Sequence, residues 1–136
     1  LRLWRSWQHA ASASEVTSAF PADAPHTQLA PELAPLPSEA TLEKITMSAF
    51  EGTWLDIALR DCGVTTLIVV GVAVEIGIEP TVRHAADLGY IPVVPTDACG
   101  SGDPAAARRS WDTLRFLGDA LLTEAEELCA TLAERT

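Results

Sequence analysis

Six consecutive residues, Thr65-Thr66-Leu67-Ile68-Val69-Val70, set between Gly63 and Gly71, leave this chain few folds. A strand with one wet face alternates apolar and polar residues. This run does not alternate, which is the pattern of a parallel strand covered on both faces. Parallel neighbours need crossover connections, and the sequence offers helices for them. Thr53 can cap a helix with the apolar stripe Trp54, Ile57 and Ala58, with Leu55 and Leu59 beside it and Gly63 closing it. A second helix is expected from about Ile78 to Leu88, with Pro80 in its first turn and Gly89 past its end. Tyr90 to Pro95 reads as a second strand, whose Pro92 and Pro95 put it towards an edge or at its tip. Asp103 and Pro104 open a third helix with the stripe Trp111, Leu114 and Leu117. A short strand at Ala120 to Leu122 follows, and Thr123 with Glu126 forms a capping box for a last helix ending near Arg135. Thr41 to Met47 reads as a further short strand. The expected fold class is therefore α/β, a three-layer, doubly wound, Rossmann-like parallel sheet. Ligands in such sheets bind beyond the carboxyl ends of the strands, which points to the segments after Met47, Val70 and Val94.

The first forty residues differ in kind. From Ala10 to Ala40, eighteen of thirty-one positions are Ala, Pro or Ser, so a long loop with a turn around Glu32 is expected, not a layer of the core. Residues 1–40 are read as a Pro/Ala-rich segment of the same domain, and 41–136 as its α/β core. A structureless loop this long inside a compact domain is uncommon. With a first residue that is Leu1 and not Met, it suggests a processed form or a fragment.

Nine basic residues stand against nineteen acidic ones, for a net charge of −10. That balance argues against nucleic-acid backbones and anionic membrane surfaces as partners. The apolar stretch from Val64 to Ile78 is interrupted by Glu75 and too short to span a bilayer. Cys62, Cys99 and Cys129 are odd in number and lack a CxxC spacing, so no disulfide framework or structural zinc is expected. The simplest setting is a reducing cytoplasm. No HxxxH or His/Asp cluster supports a metal, and no cofactor is expected.

Gly71 to Ala85, GVAVEIGIEPTVRHA, falls where a strand hands over to a helix. Outward backbone N–H groups make such a turn a natural anion or oxyanion site, though an ordinary turn with glycines for sterics reads the same way. The longer stretch GVAVEIGIEPTVRHAADLGYIPVVPTDAC, preceded by EKITMSAFEGTWLDIALRDCGVTTLIVVG, resembles the core of the isochorismatase-like cysteine hydrolases. That family includes nicotinamidases, isochorismatases, N-carbamoylsarcosine amidases and biuret hydrolases. The resemblance covers residues 41–123 well, including the family segment K-x-x-x-S-A-F-x-G-T-x-L that starts at Lys44.

The resemblance implies an Asp, Lys and Cys triad, with Lys44 on the lysine. Lys44 is also the only lysine in the chain, beside eight arginines. It implies a cis peptide at Val72–Ala73, oxyanion donors in the N–H groups of Ala73 and Gly77, and ligand contacts at Phe50, Val72, Val74 and Glu79. Two departures stand out. Gly77 occupies the nucleophile position, so the N–H remains without a thiol. No V-x-D-x-Q strand supplies the aspartate, and Asp23 sits in the Pro/Ala loop. Cys99 at a strand end is expected to be structural, Cys62 lies near a helix C-terminus, and Cys129 is expected in the core. Gly100-Ser101-Gly102-Asp103-Pro104 lacks a P-loop lysine and reads as a connector ending in a helix cap. His84 reads as solvated or capping, and His9 and His26 lie in poorly structured stretches.

Two functions fit. One is a hydrolase of a small-molecule C–N amide or vinyl ether bond, degenerate at its nucleophile. The other is a non-catalytic small-molecule-binding or assembly module on the same fold. The family forms oligomers, so a homo-oligomer is expected, with Trp4, Trp7 and Trp54 as interface candidates.

Overall fold

The computed structural model describes residues 5–6, 8–17 and 24–134; Trp4, Trp7, Asp23 and Arg135 lie outside them. The chain divides into two compact units, Leu1–Thr41 and Leu42–Thr136. In the first, short 3-10 turns stand at Ala13–Glu15, Pro25–Thr27 and Pro31–Leu33, the turn expected around Glu32 being the last of them.

The second unit is built from α1 (Leu55–Asp61), β1 (Thr66–Ile68), a π-helical turn (Val74–Ile78), α2 (Glu79–Asp87), β2 (Ile91–Pro95), α3 (Pro104–Leu117), β3 (Leu121–Thr123) and α4 (Ala125–Ala133). The three strands run parallel in the order β1-β2-β3, with Ile68 opposite Val93 and Val93 opposite Leu121. Side chains opposite one another share a face. Leu67, Val69, Val94 and Leu122 therefore lie on one face, and they are the strand residues found in the core. Val69, Val94 and Leu122 pack with Ile78, Val82, Trp111 and Leu114, whereas Leu67 joins Phe50, Leu55, Leu59, Ala85 and Tyr90.

The other face departs from expectation. The TTLIVV run reads as covered on both sides, yet Ile68, Val70, Ile91 and Leu121 are all exposed. Helices α1, α2 and α3 supply core side chains to the first face only. A continuous apolar run records that both faces suit burial; it cannot record which is buried within these residues.

Smaller corrections have local causes. The strand expected at Thr41–Met47 is irregular backbone. The Lys44 ammonium donates to the Thr46 and Met47 carbonyls, and the Thr46 hydroxyl donates to those of Ser48 and Glu51. Side chains thus take acceptors that a ladder would use. In α1 the core-facing pair is Leu55 and Leu59, one turn apart, which leaves Trp54 exposed and Ile57 73% exposed. The capping box for α4 does not form: Thr123 donates to Glu127, and the Ala125 N–H is capped from across the fold by the Asp97 carboxylate at 2.8 Å. Cys129 is exposed, not core. Asp103 does cap α3, accepting from the Ala106 N–H, and Gly118 closes it in the left-handed region at φ 72°.

Tyr90 fastens α1 to the start of β2. Its hydroxyl donates to Asp56 Oδ1 at 2.8 Å, while Arg60 donates to Asp56 Oδ2 at 3.1 Å and lies over the Tyr90 ring. The Tyr90 bond first, then Arg60, holds the Asp56 carboxyl below its ordinary value of 3.8. A depressed carboxylate contributes stability above its unfolded pKa and loses it as pH falls through the folded one. Tyr90→Phe is therefore expected to raise the Asp56 pKa and flatten the acid limb of the stability curve. Carbon-detected NMR titration of the Asp56 carboxyl checks it, and an unmoved titration would refute the assignment.

Candidate active site

The turn after β1 meets the loop after β2 at the carboxyl end of the sheet. Past the regular strands the ladder continues through single bonds. Gly71 N–H donates to Ala98 O, Gly100 N–H to Gly71 O, and Val74 N–H to Gly100 O at 2.9 Å. Gly71 takes φ 122°, which is open to glycine and strained for other residues. The Val72–Ala73 peptide is cis, as the resemblance implies.

Beyond it the chain winds into the π-helical turn. The Ala73 carbonyl collects the N–H groups of Ile76, Gly77 and Ile78, at 3.1, 2.8 and 3.2 Å. The Gly77 N–H is thus engaged inside the turn, and serving an oxyanion would require it to exchange that partner. The Ala73 N–H finds no acceptor among the described residues.

Lys44 reaches the same place from the irregular segment before α1. A β-carbon at residue 77 would lie 4.0 Å from Lys44 Nζ and 3.9 Å from the Val72 carbonyl. Two ammonium hydrogens are used on Thr46 O at 2.8 Å and Met47 O at 3.1 Å. An ammonium has three donors, so one remains. The structure therefore brings Lys44, Ala73 and Gly77 together at one exposed turn.

The other residues expected to contact a ligand differ in their surroundings. Phe50 is 6% exposed and stacks on Tyr90 in the core, and Val74 is buried as well. Both carry the framework, which an apolar residue in a motif cannot announce beforehand. Val72 stands 79% exposed at the turn. The Glu79 carboxylate accepts from Ser110 Oγ of α3 and lies 3.9 Å from Arg83, so it braces α2 to α3. His84 is structural: its Nδ1 is 3.0 Å from Ser48 Oγ and its ring packs on Phe50. Cys99 is half-buried against the Val69 carbonyl, and burial pushes its thiol pKa up. Among the described residues no group of three or more His, Cys, Asp or Glu is placed to hold a metal ion. A concavity of about 250 Å³ lined by Tyr90, Ile91, Pro92 and Leu121 lies at the opposite, amino ends of β2 and β3.

One residue of the site was not singled out by its chemistry. Glu75 Oε1 accepts from the N–H of Gly102 at 2.8 Å and of Asp103 at 2.6 Å. Bonds from its own N–H and from Asp103 hold its carboxyl below the ordinary range, against the opposing pull of burial. The legible signal was the glycine pair. A β-carbon on Gly100 would meet Val72 Cγ1 at 2.5 Å, and one on Gly102 would meet Glu75 Oε1 at 2.9 Å. These glycines let the loop lie flat against the turn; they do not cradle a phosphate.

Comparison with known proteins identifies the family. The family model described as the isochorismatase domain matches residues 4–126. The uncharacterized isochorismatase family protein YwoC of Bacillus subtilis is 40% identical over 58% of this chain and 41% of its own length. N-carbamoylsarcosine amidase from Arthrobacter sp. is 34% identical over 65% of this chain and 33% of its own. The crystal structure of an isochorismatase family protein from Desulfovibrio vulgaris superposes with a TM-score of 0.74 at 34% identity, over 82% of this chain and 58% of that one. The chain spans less than two thirds of each of these relatives. With a parallel α/β sheet, a turn in the expected place and a family model matched over most of its length, this chain belongs to the isochorismatase family.

Proposed function

We propose that the chain carries a small-molecule hydrolase site that works without a protein thiol. The observation that carries this reading is the meeting of Lys44, with one ammonium hydrogen unspent, and the free Ala73 N–H at a turn whose nucleophile position is glycine. Both groups are donors, and donors fixed in advance stabilise charge that develops on a substrate oxygen. In a C–N amide, water would add to the carbonyl carbon and the oxygen would take negative charge. The C–N bond would then break, with the amine leaving as it takes the proton that the added water gives up. In a vinyl ether a proton would add to the terminal carbon and water to the resulting oxocarbenium carbon. A donor would help there only when the hemiketal C–O bond breaks and the leaving oxygen takes up the proton that the added water gives up. N-carbamoylsarcosine amidase, a relative by sequence, is named for cleavage of a C–N bond.

A second reading has its own support. Gly77 removes the side chain that covalent catalysis requires, so the turn also suits a module that binds a small molecule without turning it over. In both readings the partner is a small molecule, with neither nucleic acid nor membrane. Homo-oligomers through exposed apolar residues such as Trp54, and a reducing cytoplasm, belong to the same proposal.

The test is turnover of a panel of small amides and isochorismate, with Lys44→Ala as control. The hydrolase reading expects turnover that falls about a hundredfold or more in Lys44→Ala, the scale of losing one preorganised donor. No turnover, with calorimetric binding of a panel member that Lys44→Ala abolishes, would favour the binding module. Turnover indifferent to Lys44 would sink the site assignment.

A further inference from the structure

We propose that Glu75 is the positioning residue of this site: its carboxylate clamps the Gly100–Asp103 loop onto the 71–77 turn and thereby fixes the direction of the Ala73 N–H. The inference rests on the reading of that turn as the place where a ligand oxygen is bound.

Three observations carry it. First, Glu75 sits inside the turn, two residues from Ala73 and two from Gly77, so its anchoring is the turn's anchoring. Second, one oxygen accepts both the Gly102 and Asp103 N–H groups from 27 and 28 residues away, which ties the ends of β1 and β2 together at the site. Charge-assisted bonds of this kind are roughly twice as strong as neutral ones. Third, the loop is shaped for the clamp. Gly102 has no β-carbon where one would collide with Glu75 Oε1, and the same position is 3.9 Å from the Ala73 side chain. The carboxylate's second oxygen is buried with no protein partner, a cost that a merely solvated surface glutamate would avoid. On the far side of the loop Asp103 turns away to cap α3 through Ala106, so its charge does not replace that of Glu75.

The clamp has a signature of its own. Gly102 and Asp103 are exposed residues, so slow amide exchange there reports the bonds to Glu75 and not burial. In Glu75→Ala their exchange is expected to quicken about tenfold or more, and the amide resonances of Ala73 and Gly77 to shift. The amides of Val94 and Leu114, deep in the core, keep their protection. Glu75→Gln, which retains an acceptor without the charge, falls between wild type and Glu75→Ala. Unchanged exchange at 102 and 103 would overturn the proposal. So would quickened exchange with Ala73 and Gly77 unmoved, since the glutamate would then tether a loop and position nothing.

If Glu75→Ala loosens every amide together, Gly102→Ala decides. It displaces the carboxylate oxygen without removing the charge, and the same local pattern supports the clamp while its absence refutes it. Where wild-type turnover is found, Glu75→Ala should lower kcat at least tenfold with little change in KM, and an unaltered kcat counts against positioning. Where no turnover is found, the hydrolase reading fails and the resonances of Ala73 and Gly77 still decide the clamp.

Discussion

Gly77→Cys is expected to produce a thiol that alkylates at pH 7 about ten times faster than Cys62 or Cys129 in the same molecule. The turn has room for it. The new β-carbon would make ordinary van der Waals contact with the Val72 carbonyl and Lys44 Nζ, at 3.9 and 4.0 Å. An unperturbed thiol has a pKa of about 8.5 and is only a few per cent thiolate at pH 7. A neighbouring ammonium lowers that by roughly one to two units, which brings the thiolate to a large fraction of the population. Cys99 is the slow internal reference, because burial pushes its thiol the other way. Peptide mapping after a timed iodoacetamide pulse measures all four sites at once. Lys44→Ala in the Gly77→Cys background should return residue 77 to the rate of Cys62. If residue 77 reacts no faster than Cys62 to begin with, Lys44 is not where the turn needs it.

That experiment tests the part of the site that the sequence made most legible. Lys44 lies about thirty residues before Ala73 and Gly77 in the chain, and a motif resemblance was enough to group it with them. The strand-to-helix handover at Gly71 was readable from glycine and β-branched residues alone, and so was the cap at Asp103. Other features were not readable, for reasons that are physical. Glu75 and Asp97 act on backbone N–H groups about 28 residues away, and a carboxylate carries no mark of which amide it will face. Phe50 and Val74 sit in the motif that carries the resemblance, but apolar residues there can serve packing or ligand contact with the same side chains. The stripe of α1 failed because a helix of seven residues has too few apolar positions to fix its rotation. Leu55–Leu59 and Trp54–Ala58 are equally good one-turn pairs, and it is the first that packs on the cluster of Phe50, Ala85 and Tyr90.

Leu114→Ala is expected to cost about 3 kcal/mol, whereas Leu121→Ala, only seven residues on, should change stability by less than about 0.5 kcal/mol. The contrast follows from the sheet. Leu114 is fully buried against Ile78, Val82 and Val94, so truncation leaves a hole that the covered face cannot collapse to fill. Leu121 is 61% exposed on the bare face, opposite Val93 and in line with Ile68. For a domain whose whole stability is on the order of 5–15 kcal/mol, the first change removes a large share of it. Urea unfolding followed by tryptophan fluorescence reads both, with Trp111 packed beside Leu114 as reporter. Equal losses in the two variants would mean that the face carrying Ile68, Val70, Ile91 and Leu121 is covered in solution. Unequal losses would mean that one layer of helices holds the fold. The carboxyl ends of β1 and β2, with the turn and loop between them, would then owe their geometry to that layer and to the clamp at Glu75.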